Sequence, residues 1–237
     1  MLQALIFDVD GTLADTEAAH LAAFNRAFAE EGRDWHWSLE EYTRLLEVSG
    51  GKERILHYWK QVQPDLVDIG GGVADTVARL HELKTSFYEQ AVQAGAVALR
   101  PGVLALIESA YAAGLKLAIA TTTSPINVAS LLRKAMGDDW HERFAVVEDA
   151  STTHNKKPHP QVYEQTLQHL GLPAAACLAF EDSANGLQAA RAAGLQVVVT
   201  TNSFTAHHNF DGALRVLPDL SGVTLQDVQA WHAAAVA

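Results

Sequence analysis

The 237-residue chain is 49% hydrophobic and carries a formal charge of −11. That is enough apolar material for a substantial core, and the wrong sign for a general affinity for nucleic acid or an anionic membrane, both of which need clustered Lys and Arg. Any anionic ligand must be met by a few placed cations. Cys177 is the only cysteine, which excludes an intrachain disulfide and a Cys-built zinc site and fits a reducing compartment. With no signal-like leader and no apolar stretch of membrane-spanning length, a soluble cytoplasmic chain is expected.

Leu2 to Phe7 is a short apolar run closed by Asp8, Val9, Asp10 and Gly11, the form of a buried strand ending in a turn. Residues 15 to about 95 then carry helical patterns with no convincing strand, at 16–32, 38–48, 52–62 and 73–95. Residues 68–72 read as a loop among them, and 99–102 as the return to the core. Further apolar runs at 115–124, 143–149, 176–186 and 195–203 alternate with amphipathic stretches at 103–114, 126–137, 159–171 and 184–194. Gly114, Gly171 and Gly194 close three of these stretches immediately before the next run, as helix C-termini do. The alternation predicts an α/β core, with a parallel sheet covered on both faces. It is built from residues 1–14 and 96–237, with a helical insertion over 15–95. The Ala-rich end, 231–237, reads as a fraying helix.

In a parallel sheet ligands gather at the carboxyl ends of the strands, so the residues that follow each apolar run belong together. They are Asp8 and Asp10, then Thr121, Thr122, Thr123 and Ser124, then Glu181 and Asp182. Four carboxylates from two strands cannot all stay ionised without a counter-charge, which means raised pKa values or a bound cation. An all-oxygen site favours a hard ion such as Mg²⁺. Lys156 and Lys157 are the nearby cations, with Pro158 expected to open the following helix. Gly11 and Thr12 offer backbone N–H groups to anionic oxygens. Alternation along the strand turns Asp8 and Asp10 to one side, so that one carboxylate could attack while its neighbour handles the proton. The set suits phosphoryl transfer through a covalent aspartyl-phosphate.

These residues also carry a family likeness. "FDVDGTLADTE" resembles the first motif of the haloacid dehalogenase-like phosphohydrolases, DxDGTLxDT. "AIATTTS", "KKPHPQVY" and "AFEDSANGLQAA" resemble the second, third and fourth, in family order across nearly the whole chain. The resemblance implies a Rossmann-like core with a helical cap of the first type over 15–95. It implies that Asp8 attacks the phosphorus, that Asp10 protonates the leaving oxygen and then activates water, and that Thr121 and Lys157 hold the transferring phosphoryl. Mg²⁺ would be held by the Asp8 carboxylate, the Asp10 backbone carbonyl and Asp182, with Glu181 close by.

Thr16 and His20 after the first motif are similar to the β-phosphoglucomutase-like branch, and "SGGKERI", "LRPGV" and "ATTTSPINV" to its CbbY-type group. That likeness implies a phosphatase acting on a sugar phosphate, a ketose bisphosphate such as xylulose 1,5-bisphosphate. Separately, a monomer is the expected state. Lys52 and Arg54 would grip the distal phosphate from the cap, Glu17 and His20 would face the sugar hydroxyls, and Thr122 and Thr123 are candidate substrate contacts. A phosphosugar mutase would share every core residue, and a non-catalytic binding protein of the same fold would be marked by damage to the motifs, which are intact.

Plainer readings stand beside these. Lys52 and Arg54 fit a solvated helix face, and His20 could border a core. "GGKE" is no phosphate-binding P-loop, because Leu46 stands where the first glycine belongs and Glu53 where Ser or Thr belongs. His207 and His208 have no partner at metal-ligand spacing, Trp35 and Trp37 read as cap core rather than a base-stacking platform, and Cys177 as buried and inert.

Overall fold

Among the described residues six strands, β1 (Ala4–Phe7), β2 (Lys116–Ala120), β3 (Val146–Glu148), β4 (Cys177–Glu181), β5 (Gln196–Thr200) and β6 (Arg215–Leu217), make one parallel sheet in the order β3-β2-β1-β4-β5-β6. The computed structural model describes residues 1–67 and 71–235. The helices are α1 (Glu17–Glu30), α2 (Leu39–Leu45), α3 (Gly51–Val62), α4 (Gly72–Gln93), α5 (Val103–Ala112), α6 (Pro125–Met136), α7 (Gln161–Leu170), α8 (Ala184–Ala192) and α9 (Leu225–Ala235). From β1 the chain builds outward through β2 and β3, then returns to β4 on the other side. The carboxyl end of β1 therefore lies at the switch point, where a crevice opens in a doubly wound sheet.

Alternation along the strands sorts their side chains between two clusters. Leu5, Phe7, Leu117, Ile119, Leu178, Phe180 and Val198 face α5, α6 and α9, and the Phe7 and Phe180 rings stack at 4.8 Å across neighbouring strands. Ala4, Ile6, Ala118, Ala120, Cys177, Ala179, Val197 and Val199 face α7 and α8. Half of the residues on the second face are alanine, which lets those helices sit close beneath the strand ends.

Helices α1 to α4 form the cap and enclose a third, aromatic cluster of Phe24, Phe28, Trp37, Tyr42, Ile55, Trp59 and Leu80. Trp37 lies at its centre, against Phe24 (4.7 Å), Phe28 (4.8 Å) and Tyr58 (5.4 Å). The Asn25 side chain fixes it by exchanging hydrogen bonds with the Trp37 backbone N–H (2.8 Å) and carbonyl (2.9 Å). The far end of α4 leaves the cap: Tyr88 and Val92 join the core cluster.

Three details differ from the sequence expectation. Strand β6 was not anticipated, because a three-residue edge strand with Arg215 and Val216 exposed has no apolar run to reveal it. The strand expected over 143–149 shortens to three residues, since Trp140–Arg143 forms a 3-10 turn. Pro158 does not open α7: His159 N–H donates to the Lys156 carbonyl (3.0 Å), closing a turn across the cis Lys157–Pro158 bond, and Pro160 takes the N-cap position. Of the loop expected at 68–72, residues 68–70 lie outside the described residues, and Gly72 already begins α4. Of the C-terminal segment expected to fray, 236–237 lie outside them, and α9 runs to Ala235.

Trp37→Ala is expected to cost about 3–5 kcal/mol, the range for emptying a large aromatic site. Urea unfolding, followed by the loss of midpoint at constant slope, reads this directly.

Candidate active site

Asp8 continues the β1 ladder by one residue, its N–H donating to the Phe180 carbonyl (3.0 Å). The chain then turns tightly: the Val9 carbonyl accepts from Thr12, Leu13 and Ala14 (3.3, 2.9 and 3.3 Å), while the Val9 side chain is buried in the core. Gly11 sits at φ +76° in this turn. A Cβ there would need a left-handed backbone and would collide with the Asp182 carboxylate and the Asn202 amide.

Lys157 lies at the centre of the site. Its buried ammonium donates to Asp8 Oδ1 (2.7 Å), Glu181 Oε1 (2.6 Å) and the Ala120 carbonyl (2.9 Å), which uses all three of its protons. The other Asp8 oxygen accepts from the Thr12 hydroxyl (3.0 Å). Glu181, fully buried at the end of β4, also accepts from the Tyr163 hydroxyl on α7. Its second oxygen occupies the space that a side chain at Gly186 would fill. Asp182 Oδ2 accepts from Asn202 Nδ2 (2.7 Å).

One oxygen from each of Asp8, Glu181 and Asp182 lies within 4.8 Å of the others. Burial pushes the Asp8 carboxyl up to about 7, with Lys157 pulling it back and Glu181 adding to the rise. Burial, then Asp8 and Glu181, push Asp182 up as well. Burial works against the Lys157 charge, but Asp8 and Glu181 outweigh it and hold the ammonium protonated. Three buried carboxylates around one ammonium are short of positive charge, and an all-oxygen donor set of this kind fits Mg²⁺.

The Asp10 side chain stands apart from this triad. Its Oδ1 accepts from the Thr16 hydroxyl (2.7 Å) and His20 Nε2 (2.9 Å). Burial pushes its pKa up, but His20, Thr16 and Lys84 outweigh that and hold the carboxyl well below the usual range. Burial and Lys84 keep His20 neutral against the pull of Asp10. The neutral tautomer that can serve the carboxylate carries its proton on Nε2, with the ring stacked on Tyr88 (4.0 Å) and Nδ1 left without a partner among the described residues.

A cavity of about 740 Å³ separates this floor from the cap and is lined by Asp8, Asp10, Thr121, Thr122, Thr123, Lys157, Glu181 and Asp182 below and by Glu17, His20, Lys52, Arg54 and Lys84 above. Thr121 is buried at the end of β2 and accepts from the Thr123 N–H (3.3 Å). Lys52 is exposed at the cavity rim. Arg54 lines the cavity but is already engaged, donating to the carbonyls of Leu45 (3.0 Å) and Val48 (3.2 Å) and to the Tyr42 hydroxyl (3.3 Å). Tyr42 in turn donates to Glu17 (2.5 Å).

Several site neighbours escaped sequence reasoning. Lys84 looks like any solvated helix lysine, yet it is 4% exposed, with its ammonium over the rings of Phe24 (4.9 Å) and Tyr88 (5.5 Å). Burial lowers its pKa to about 8, with Asp10 pulling the other way. Tyr42 and Tyr163 carry aromatic signals that read as core. Asn202 was within reach, because the rule that ligands gather at strand ends extends to the residues after β5.

The chain is similar to known hydrolases over most of its length. A family model described as haloacid dehalogenase-like hydrolase matches residues 2–194. The plasmid CbbY protein of Cupriavidus necator is 58% identical over 219 residues, covering 92% of this chain and 86% of that protein. The crystal structure of CbbY from Rhodobacter sphaeroides in complex with phosphate aligns with a TM-score of 0.89 at 40% identity, covering 97% of this chain and 100% of that one. A mutant of the same CbbY in complex with xylulose-(1,5)bisphosphate also gives 0.89 at 40%, over 96% and 99% of the two chains.

Lys84 provides a test of the electrostatics. Its folded pKa of about 8 lies below the ordinary 10.5, so the unfolded chain binds more protons between those values and stability rises with pH across that window. Below about pH 8 the buried charge carries its full penalty, roughly 3 kcal/mol. Lys84→Met is expected to melt above the unsubstituted protein at pH 7, with the difference shrinking as pH rises from 8 towards 10.5. Parallel thermal unfolding of the two proteins across that range checks it.

Proposed function

The chain belongs to the haloacid dehalogenase-like hydrolases and is a phosphatase-type enzyme, and from that premise we propose that it is a Mg²⁺-dependent phosphatase of a ketose bisphosphate such as xylulose 1,5-bisphosphate. The observation that carries the chemistry is the Lys157 ammonium bound at once to Asp8 and Glu181. It fixes the Asp8 carboxylate at the mouth of the switch-point crevice, opposes the loss of charge that burial favours and keeps the group from rotating away.

In this reading an Asp8 oxygen attacks the phosphorus while the bond from phosphorus to the sugar oxygen breaks, giving an aspartyl-phosphate. Thr121 holds a phosphoryl oxygen as charge moves onto it, and Lys157, with its three protons engaged, supplies positive charge beside the group. Asp10 gives a proton to the leaving sugar oxygen, then takes one from the water that attacks the phosphorus, which frees inorganic phosphate and restores Asp8. Thr16 and His20 aim Asp10 and hold it ready to accept that proton. A phosphate dianion arriving beside Asp10 raises its proton affinity, so that Asp10 takes up a proton from solvent before it donates. Asp8, Asp182 and the Asp10 backbone carbonyl would hold Mg²⁺, with Glu181 beside them because its Oε1 already serves Lys157 and Tyr163. When bound, the ion supplies positive charge at the phosphoryl oxygens.

Substrate choice belongs to the cap, residues 15–95, acting over a core of 1–14 and 96–237. A bisphosphate needs cations at both ends of the cavity. Lys157 serves the transferring group, and Lys52 and Lys84 serve the distal phosphate from above. Arg54 contributes its charge from a guanidinium that also ties the segment between α2 and α3 in place. Glu17, Thr122 and Thr123 line the space left for the sugar hydroxyls. The relative crystallised with xylulose-(1,5)bisphosphate supports this assignment at 40% identity.

Phosphate release is expected from xylulose 1,5-bisphosphate in preference to sugar monophosphates, and to stop when Mg²⁺ is chelated. Release from no bisphosphate would overturn the substrate. Asp8→Asn should lower kcat by at least about 10⁴-fold, as loss of a nucleophile does. Lys52→Ala should raise KM for the bisphosphate by about 10-fold or more, the worth of one charge-assisted hydrogen bond, with kcat little changed.

A further inference from the structure

We propose that Asn202 is the positioning residue of Asp182, and that Phe204, two residues on, makes that positioning depend on the cap. The inference rests on the reading that Asp182 helps to hold Mg²⁺. Asn202 follows β5 and opens a tight turn: its carbonyl accepts from the N–H groups of Thr205 (3.2 Å) and Ala206 (2.9 Å), and its own N–H donates to the Thr205 hydroxyl (3.3 Å). Its side-chain Oδ1 accepts from the Phe204 N–H (2.9 Å). That bond fixes which way the amide faces, so Nδ2 must point at the acid. Nδ2 donates to Asp182 Oδ2 (2.7 Å) and lies 3.4 Å from the Gly11 carbonyl.

One oxygen of Asp182 is thus held by an amide, which leaves Oδ1 without a hydrogen bond among the described residues. The mount is firm. The Gly11 carbonyl also accepts from Arg100, whose buried guanidinium donates to the carbonyls of Thr200 (3.0 Å), Thr201 (2.6 Å) and Pro218 (2.7 Å). The loop that carries Asp10 and the loop that carries Asn202 are therefore tied to one cation.

The other end of the same turn reaches the cap. Phe204 packs against the cap's aromatic cluster, edge-on to Tyr42 at 6.1 Å. Tyr42 bonds Glu17 on α1, beside the connection into the cap. A movement of the cap away from the core would strip Phe204 of these contacts and loosen the turn in which its N–H orients the Asn202 amide. Cap position and the aim of Asp182 are thereby linked through two residues, neither of which touches the transferring phosphoryl.

Magnesium titration of the substrate-free protein by calorimetry tests this without relying on turnover. Asp182→Asn should abolish measurable Mg²⁺ binding; if it binds as the unsubstituted protein does, the reading of Asp182 fails and the inference with it. Given that loss, Asn202→Ala should weaken Mg²⁺ binding about 10-fold, as removal of an outer partner of a metal ligand does, with kcat at saturating Mg²⁺ largely kept. Asn202→Ser, which keeps a small polar residue in the turn but cannot reach Asp182, should behave alike if the alanine variant folds poorly. Phe204→Ala should weaken Mg²⁺ binding in the same direction, by about 3-fold, and the double variant should be no weaker than Asn202→Ala alone. Unchanged Mg²⁺ affinity in the Asn202 variants, or effects of Phe204 and Asn202 that simply add, would overturn the proposal.

Discussion

A single ammonium bound between two buried carboxylates is the contact on which the rest of the site depends. Lys157 reaches Asp8, Glu181 and the Ala120 carbonyl at 2.6 to 2.9 Å, which ties the ends of β1, β2 and β4 to one charge. Without it Asp8 and Glu181 would face each other uncompensated in a buried place, a cost far above that of losing an ordinary hydrogen bond. The fold serves this contact from every side. Alanines on one face of the sheet let α7 lie close, so that Tyr163 also reaches Glu181, and glycines at 11 and 186 leave room for Asp182 and Glu181.

A second layer of control lies in the cap. Asp10 is aimed not by the core that carries it but by Thr16 and His20, at the start of α1, and Lys84 on α4 adds its charge from above. Asn185 of the core donates to the Glu47 carbonyl of the cap at 2.9 Å, and Phe204 packs against Tyr42. Asp10 and the cap are therefore mechanically joined, which in the proposed reaction would tie the proton carrier to the element that closes over the substrate.

Much of this architecture was legible in the chain. The apolar runs gave five of the six strands, and the polar residues following them gave the floor of the cavity, because strand ends in a parallel sheet must converge. What escaped has physical reasons. β6 is too short and too exposed to carry an apolar signature. The start of α7 turned on which of two prolines, Pro158 or Pro160, caps the helix, and local pattern does not distinguish them. Lys84 is a charged residue on an amphipathic helix, and only the packing of α4 against α1 shows that its ammonium lies over two aromatic rings. Arg54 was visible as a cation, but its bonds to Leu45 and Val48 depend on how α2 meets α3.

In the proposed reaction Asp8 is the nucleophile, held by Lys157. Turnover of xylulose 1,5-bisphosphate quenched in acid within milliseconds, followed by borohydride reduction and peptide mass spectrometry, tests it most directly. The aspartyl-phosphate at position 8 is expected to be reduced to homoserine, in an amount that rises before steady phosphate release. Phosphate release with residue 8 unmodified at every quench time, or a reduced residue elsewhere, would contradict it.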